Sequence, residues 1–245
     1  MAVNVEIRGP VVAVTIDRPE RRNAVDREAL DALHAAVVAA TDDGARALVL
    51  SGSGGHFCAG ADLTGVEDAG FGLALRAVLD GLRDAPFATI AAVDGAALGA
   101  GTQLAVACDL RVATPAARFG IPAARLGLMV DHWTVQRLAL LAGHGPARAM
   151  LLAAEVITGD DAIRLGLVQR HGYLDAALAW ADDLAVLAPL TVAGHKLALN
   201  RLEVGSGSDD DAEVRAAFDR AWASADLQEG LAAFRESRQP IFRGQ

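Results

Sequence analysis

The sequence predicts an α/β protein in which strands and helices alternate along most of the chain. Short apolar runs such as Val11–Ile16 are typical of buried strands, whereas Asp26–Ala40 shows the apolar spacing of a helix. After Pro189 the pattern becomes helical, which predicts a helical C-terminal region. With 245 residues, 53% of them hydrophobic, the chain is long enough to bury a large core.

The elements can be predicted in order along the chain. Strand Val11–Ile16 comes first, and the helix Asp26–Ala40 follows, with Leu30 and Leu33 at helical spacing and Asp26 as its expected N-cap. The next elements are a strand at Ala47–Leu50, a helix at Leu73–Leu82, a strand at Thr89–Val93 and a helix at Thr102–Ala107. A polar segment, Gly205–Asp211, predicts a loop within the helical tail.

The chain is predicted to divide into a core at residues 1–190 and a C-terminal helical region at residues 191–245. Apolar residues recur at helical spacing within the tail, at Val214, Phe218, Trp222, Leu227, Leu231 and Phe234. Such a face must pack against the protein's own core or against a neighbouring subunit.

Two glycine-rich turns, Ser51–Asp62 and Asp94–Asp109, each follow an apolar run. Glycine allows a sharp turn that exposes backbone N–H groups, and the apolar helix after Gly99 adds partial positive charge at its N-terminus. Two such turns facing each other make an oxyanion hole, which binds an anion or a polarised carbonyl. The alternative is that both turns serve only the fold.

Several segments resemble the enoyl-CoA hydratase/isomerase, or crotonase, superfamily in their order and spacing. The segments are DRPERRNAV, FCAGADL, DGAALGAGTQLAVACDLRVA, FGIPAARLGL, VQRL and FRESRQPIFRG, which span nearly the whole chain. The resemblance implies a spiral of ββα units with a C-terminal helical region that forms trimers, which often pair into hexamers. It also implies that the backbone N–H groups of Ala59 and Ala100 hold the thioester oxygen of an acyl-CoA.

The chain departs from the family hydratases at two positions. Those hydratases place two glutamates around the acyl chain, and this chain carries Gln103 and Ala123 there. Glutamine can position a water molecule but cannot exchange a proton near neutral pH, and alanine can do neither. We therefore expect hydration to be slower by about 10⁴ or more.

Asp131 falls where isomerases of the superfamily carry a catalytic aspartate and where a dehalogenase branch has its nucleophile. The partner positions of those relatives are Gln103, Ala123 and Ala124 in this chain. Because Asp131 precedes an apolar run, it is also a typical helix N-cap. Capping and catalysis both remain open for this residue.

Contacts with CoA are implied by the same resemblance, through the loop before the first helix, the AGAD turn and the C-terminal region. The CoA-binding positions are Arg21, Arg22, Ala59, Gly60, Ala61, Asp62, Leu63, Gly99 and Lys196, with Arg18 and Phe242 as further contacts. A protein of net charge −9 needs a local basic patch or main-chain donors to hold this polyanion. For the arginines, the alternative is a solvated basic turn.

Other features limit the range of functions. Cys58 and Cys108 suit packing in a reducing compartment, and the six histidines lack metal-binding spacing, so we expect neither a metal nor a cofactor beyond the CoA thioester ligand. The net charge argues against nucleic acid as a partner. Asp94 and several glycines interrupt the longest apolar stretch, Ala85–Cys108, so no membrane span is expected. With no signal segment before the first strand, we expect a cytoplasmic location.

Two functional hypotheses follow. The segments GAGTQLAVACDLRV, LGLMVDHWTVQRL and GHGPARAMLLAAE are similar to a mycobacterial branch of the family that lacks both glutamates and binds long-chain acyl-CoA. This implies an acyl-CoA carrier in fatty-acid and mycolic-acid metabolism, with fatty-acid synthesis enzymes as expected partners. The second hypothesis is a hydratase or isomerase of weak or shifted activity that uses Asp131. A nicotinamide-binding domain is disfavoured because GAALGAG lacks the GxGxxG spacing.

Overall fold

The computed structural model describes residues 2–62, 69–203 and 211–245. Its strands are β1 (Val3–Arg8), β2 (Val11–Ile16), β3 (Ala47–Gly52), β4 (Ala88–Val93), β5 (Ala96–Leu98), β6 (Leu110–Ala113), β7 (Arg118–Gly120), β8 (Val156–Thr158) and β9 (Arg170–His171). Its helices are α1 (Arg27–Asp42), α2 (Ala69–Asp84), α3 (Ala100–Ala107), α4 (His132–Ala142), α5 (His144–Leu152), α6 (Gly159–Arg164), α7 (Leu174–Ala185), α8 (Pro189–Glu203), α9 (Ala212–Trp222) and α10 (Ala225–Glu236).

A six-stranded sheet in the order β1-β2-β3-β4-β6-β9 forms the frame. Strands β3 and β4 are buried along their whole length, as parallel strands covered on both faces must be. Within this sheet, β1 and β2 pair antiparallel through a tight turn at Gly9, whose φ of 62° favours glycine. The alternating strands and helices confirm the predicted α/β class.

Helices cover the two faces of this sheet. Helices α1, α2 and α3 pack on one face around the larger apolar core, which includes Leu30, Leu50 and Leu79. On the other face, α7 packs Ala177 and Ala181 against the strands. The small side chains of α7 bring that helix close to the sheet.

A second sheet, in the order β5-β7-β8, carries the second glycine-rich turn. Strand β5 ends at Leu98 and β7 ends at Gly120, and the Gly99 N–H donates to the Gly120 carbonyl over 2.8 Å. This bond fixes the entry of α3, whose eight residues are all buried. The N-terminus of α3 therefore lies where the two short strands end.

The predicted elements differ from the observed ones mainly at their ends. Asp26 is confirmed as the N-cap of α1, since its side chain accepts the Ala29 N–H over 2.9 Å. Helix α2 is longer at both ends than the predicted Leu73–Leu82. Helix α3 begins at Ala100, before the predicted Thr102, because the Gln103 N–H donates to the Gly99 carbonyl over 3.1 Å and closes the first turn.

The C-terminal helices leave much of their apolar surface open. Phe218, Trp222 and Phe234 are 58%, 63% and 86% exposed, so the predicted apolar face is not covered by the protein's own core at these residues. The predicted loop Gly205–Asp211 lies outside the described residues except for Asp211, which caps α9. The division at residue 190 stays a prediction.

Over the ranges that the structure describes, no single helix has the length and apolar character to cross a membrane. One sharply bent pair, Leu174–Ala185 with Pro189–Leu202, meets those criteria on length and composition together.

Candidate functional site

The first glycine-rich turn is held against the loop that precedes α1. The Ala59 N–H donates to the Arg22 carbonyl over 3.0 Å, and the Val25 N–H donates to the Gly60 carbonyl over 2.9 Å. Asn23, fully buried, donates from Nδ2 to the His56 carbonyl over 2.6 Å. Sequence reasoning missed Asn23, whose only signal was its place beside the arginines.

These contacts correct one predicted donor. The N–H of Ala59 already has an acceptor within the protein, so Ala59 cannot serve the oxyanion hole as predicted. The Asp62 N–H is likewise bound, to the Val25 carbonyl over 2.8 Å. Between them, the N–H of Ala61 meets no acceptor among the described residues. Which N–H of the first glycine-rich turn stays unbonded depends on how this turn pairs with the loop that precedes α1. That pairing is not visible in the sequence.

The second turn packs tightly onto the first. The Leu98 N–H donates to the Cys58 carbonyl over 3.0 Å, and a Cβ placed on Gly101 would lie 2.0 Å from that same carbonyl oxygen. Gly99 adopts φ 54° and ψ −116°, a conformation open only to glycine. Ala100 follows as the first residue of α3, so its N–H has no intrahelical acceptor.

Ala61 and Ala100 line one cavity of about 470 Å³. Its other walls come from α2, from the segment after β7 and from the start of α4. The lining residues are Ala59, Gly60, Ala61, Phe71, Gly72, Leu75, Arg76, Leu98, Gly99, Ala100, Gln103, Ile121, Pro122, Ala123, Leu126, Leu128, Met129, Val130 and Asp131. Most of these are apolar, and Asp131 is the one carboxylate among the lining residues that the structure describes.

Three positions predicted to govern proton transfer, Gln103, Ala123 and Asp131, lie together in the lining of this cavity. Gln103 is buried on α3 and donates from Nε2 to the Thr134 hydroxyl over 2.8 Å. Ala123 lies in the 3-10 turn Pro122–Leu126 and packs against the apolar core. Neither position supplies a group that exchanges a proton near neutral pH.

Asp131 is the N-cap of α4, which confirms one of the two roles predicted for this residue. Its Oδ1 accepts the Thr134 N–H over 2.7 Å. Thr134 therefore bonds Gln103 through its hydroxyl and Asp131 through its backbone N–H, which links these two cavity residues. The catalytic role of Asp131 stays a prediction.

Arg76 is a cavity residue that sequence reasoning missed. It binds Asp80 through two hydrogen bonds of 2.8 and 2.5 Å, and its guanidinium lies 5.2 Å from the centre of a Trp133 ring. Its Nη1 lies 4.0 Å from Oδ2 of Asp131. The spacing of Arg76 and Asp80 by four residues indicated only a pair on a helix surface.

The predicted basic patch is partly neutralised. Arg18 pairs with Asp26 over 2.5 Å and with Asp62 over 3.5 Å, and Arg21 reaches Asp62 over 3.3 Å. Arg22 is exposed and forms no ion pair within the described parts of the chain. Of the predicted CoA contacts, Leu63 lies outside the described residues.

Lys196 is not placed for a CoA contact, and its prediction is corrected. Its ammonium is buried and donates to the carbonyls of Leu82 and Phe87 over 2.9 and 3.0 Å, while Asp109 lies 2.8 Å away. These contacts tie α8 to the end of α2 and to the segments that precede β4 and β6. Phe242 lines a different cavity, of about 440 Å³, between α8, α9 and α10.

The cysteines are packed inside the protein, as expected. Burial raises the pKa of both thiols, Cys58 and Cys108, to about 12, so they stay protonated near neutral pH. A buried, protonated thiol is a poor nucleophile, which leaves packing as the role of Cys58. Within residues 2–62, 69–203 and 211–245, no three His, Cys, Asp or Glu side chains gather as a metal site.

Comparison with known proteins gives matches over nearly the whole chain. A model described as Enoyl-CoA hydratase/isomerase matches residues 6–245. The probable enoyl-CoA hydratase echA6 of Mycobacterium tuberculosis is 42% identical to this chain, and the match covers 96% of each protein. The 2,3-dehydroadipyl-CoA hydratase of Escherichia coli is 35% identical over 96% of this chain and 95% of its own length. Among solved structures, an enoyl-CoA hydratase of Mycobacterium tuberculosis superposes with a TM-score of 0.89 at 32% identity, covering 100% of this chain and 99% of that one.

Proposed function

This chain belongs to the enoyl-CoA hydratase/isomerase family, and on that premise we propose that it binds fatty acyl-CoA thioesters without hydrating them efficiently. Its role would be that of an acyl-CoA carrier in fatty-acid and mycolic-acid metabolism. One observation carries the proposal: the N–H groups of Ala61 and Ala100 line the cavity without an acceptor among the described residues, while its one described carboxylate, Asp131, already caps a helix.

The two N–H groups allow the cavity to bind the thioester through hydrogen bonds. The N–H groups of Ala61 and Ala100 bind the carbonyl oxygen, and the N-terminus of α3 adds partial positive charge there. Each such hydrogen bond contributes about 0.5–1.5 kcal/mol, and each buried CH₂ of the acyl chain about 0.8 kcal/mol. Apolar burial therefore supplies most of the affinity, and we expect affinity to rise with chain length until the cavity is filled.

Hydration would need two proton-transfer groups, and the described residues at positions 103 and 123 supply neither. One group must take a proton from water, and another must deliver a proton to the substrate carbon. Gln103 can orient a water molecule through its amide, and Ala123 offers only a methyl group. The thioester is thus held in a site that is poor in proton-transfer groups.

A second candidate is a hydratase or isomerase of weak or shifted activity. Thr134 links Gln103 to Asp131, and Oδ2 of Asp131 is not used by the helix cap. In this scheme Gln103 positions a water molecule or the acyl chain, while Asp131 moves the proton. Arg76 lies beside that oxygen, with its Nη1 4.0 Å from Oδ2 of Asp131.

Titration with palmitoyl-CoA and butyryl-CoA by calorimetry, with a hydration assay on crotonyl-CoA and a long enoyl-CoA, tests the proposal. Ala100→Pro removes one N–H at a helix position that tolerates proline, while Ala100→Gly keeps it. We expect tight palmitoyl-CoA binding, weaker in Ala100→Pro by up to about tenfold and unchanged in Ala100→Gly. Turnover that Asp131→Asn abolishes would instead support the second candidate. Equal affinity for palmitoyl-CoA and butyryl-CoA would contradict the expectation that apolar burial supplies most of the affinity.

Assembly and location belong to the same proposal. The exposed Phe218, Trp222 and Phe234 support a homo-oligomer, either a trimer or a dimer of trimers, with fatty-acid synthesis enzymes as further partners. The free thiols of Cys58 and Cys108 support a reducing, cytoplasmic location. Light scattering at several protein concentrations measures the oligomer, and a monomer at all of them would contradict this part of the proposal.

A further inference from the structure

Two buried arginines bind the C-terminal end of α3, the helix whose other end carries the Ala100 donor. Arg111 donates from Nη1 to the carbonyls of Ala105 and Cys108 over 3.1 and 2.8 Å. Arg137, from α4, donates from Nε to the Val106 carbonyl over 2.8 Å. Its Nη2 shares the Cys108 carbonyl with Arg111, at 3.4 Å. The last carbonyls of the helix are thus satisfied by guanidinium groups from two different elements.

Burying these cations is costly. Arg111 is 1% exposed and forms no ion pair within the described residues, and its remaining contacts include the side-chain amide of Gln169. The nearby carboxylate of Asp109 binds Lys196 and Thr89 instead. A buried charge destabilises a protein unless it is well compensated, whereas neutral amide or hydroxyl donors satisfy carbonyls without that cost.

Both arginines keep their charge near neutral pH. Burial and the neighbouring Arg137 lower the pKa of Arg111 to about 10, still well above neutrality. Burial also lowers the pKa of Arg137, while Asp109 and other neighbours act on it less strongly. The charge of each guanidinium therefore lies at the negative end of the α3 dipole.

The orientation of α3 relates the charge of the two arginines to the electric field at the cavity. A helix of eight residues is about 12 Å long, and its dipole presents positive charge at the N-terminus and negative charge at the C-terminus. Cations at the C-terminus cancel the negative end and leave the positive end unopposed. Because all eight residues are buried, solvent screens this field little.

We propose that Arg111 and Arg137 are positioning residues that hold α3 and, through their charge, strengthen the polarisation of a thioester carbonyl bound at the Ala100 N–H. The inference rests on the proposed acyl-CoA site and adds to it a source of field that does not touch the ligand. Simple satisfaction of the helix carbonyls is the competing explanation, and it predicts no dependence on charge.

Arg137 offers a matched pair of variants. Arg137→Gln keeps an N–H donor for the Val106 carbonyl but removes the charge, and Arg137→Lys keeps the charge. The readout is the infrared carbonyl band of octanoyl-CoA labelled with ¹³C at the thioester, which moves to lower frequency when the carbonyl is polarised. We expect Arg137→Lys to keep most of the wild-type shift and Arg137→Gln to lose at least half of it. Equal shifts in both variants would overturn the inference.

Gln169 supplies a second test that leaves the buried arginines in place. The Oε1 of this exposed residue accepts the backbone N–H of Arg111 over 2.9 Å and lies 3.4 Å from Nη2 of the Arg111 guanidinium. Gln169→Glu adds an opposing charge there and should reduce the shift, whereas the neutral Gln169→Ala should not. If Gln169→Glu leaves the infrared shift at its wild-type value, the role of the arginine charge is contradicted while the acyl-CoA site stands. If the wild-type protein itself shows no shift, the proposed acyl-CoA site is refuted.

Discussion

Replacing Lys196 with methionine removes the cation that anchors α8 and keeps most of its apolar stem. In the native protein the Lys196 ammonium binds two carbonyls, of Leu82 and Phe87, and pairs with Asp109. After the substitution, these acceptors face an apolar thioether instead of a donor. The change thus tests whether Lys196 serves the fold or the ligand.

The expected loss of stability follows from these contacts. Removing one partner of a buried ion pair costs about 3–5 kcal/mol. Asp109 is 22% exposed at its side chain and keeps two hydrogen bonds from Thr89, so it is partly compensated. We therefore expect Lys196→Met to lower the free energy of unfolding by about 3 kcal/mol, near the lower end of that range.

Equilibrium unfolding in urea, at one fixed protein concentration, measures this loss. With an m value of about 3 kcal/mol/M, the midpoint should fall by about 1 M. A double-mutant cycle with Asp109→Asn isolates the ion pair, and the cost of Lys196→Met should be smaller in that background. Unfolding at the wild-type midpoint, together with weaker acyl-CoA binding, would refute the structural role and restore Lys196 as a ligand contact.

Three further predictions concern the cavity and the thiols. The double variant Gln103→Glu/Ala123→Glu should raise the hydration rate of crotonyl-CoA by about 10²–10⁴, and an unchanged rate in a folded variant would show that missing carboxylates are not the reason for low activity. Asp131→Ala should lower stability by about 1 kcal/mol in thermal unfolding while Asp131→Asn keeps the cap, so equal losses would contradict the capping role. Cys58 and Cys108, whose pKa burial raises to about 12, should react with iodoacetamide only after unfolding, and fast labelling of the native protein at mildly alkaline pH would contradict their burial.

Much of the fold could be predicted because its signals are local. The apolar run Val11–Ile16 is a strand with the predicted bounds, and Asp26 caps the helix that follows. Element ends were harder to predict, since they depend on neighbours. Helix α3 starts at Ala100 because Gly99 bonds to Gly120, a residue from another strand. No local pattern in the sequence reports that contact.

The site shows the same division. Gln103, Ala123 and Asp131 were recognised from their places in the motifs, and they do line one cavity. Thr134 and Arg76 carried no signal of their own, because their roles arise from the packing of α2, α3 and α4 against one another. A hydroxyl or a guanidinium in a helix becomes part of a site only when the neighbouring helices present partners to it.

Residue types alone identify the family and the chemical groups available at positions 103 and 123, since no fold can turn Gln103 or Ala123 into a proton-transfer group. Which backbone and side-chain groups are free to bind a ligand is settled only when the chain folds. The N–H of Ala59 is bound to the Arg22 carbonyl, and the ammonium of Lys196 is bound beneath α8, whereas the Ala61 N–H meets no acceptor among the residues that the structure describes. The physical reason is that the availability of a donor depends on whether a distant segment supplies its acceptor, and that pairing exists only in the folded chain.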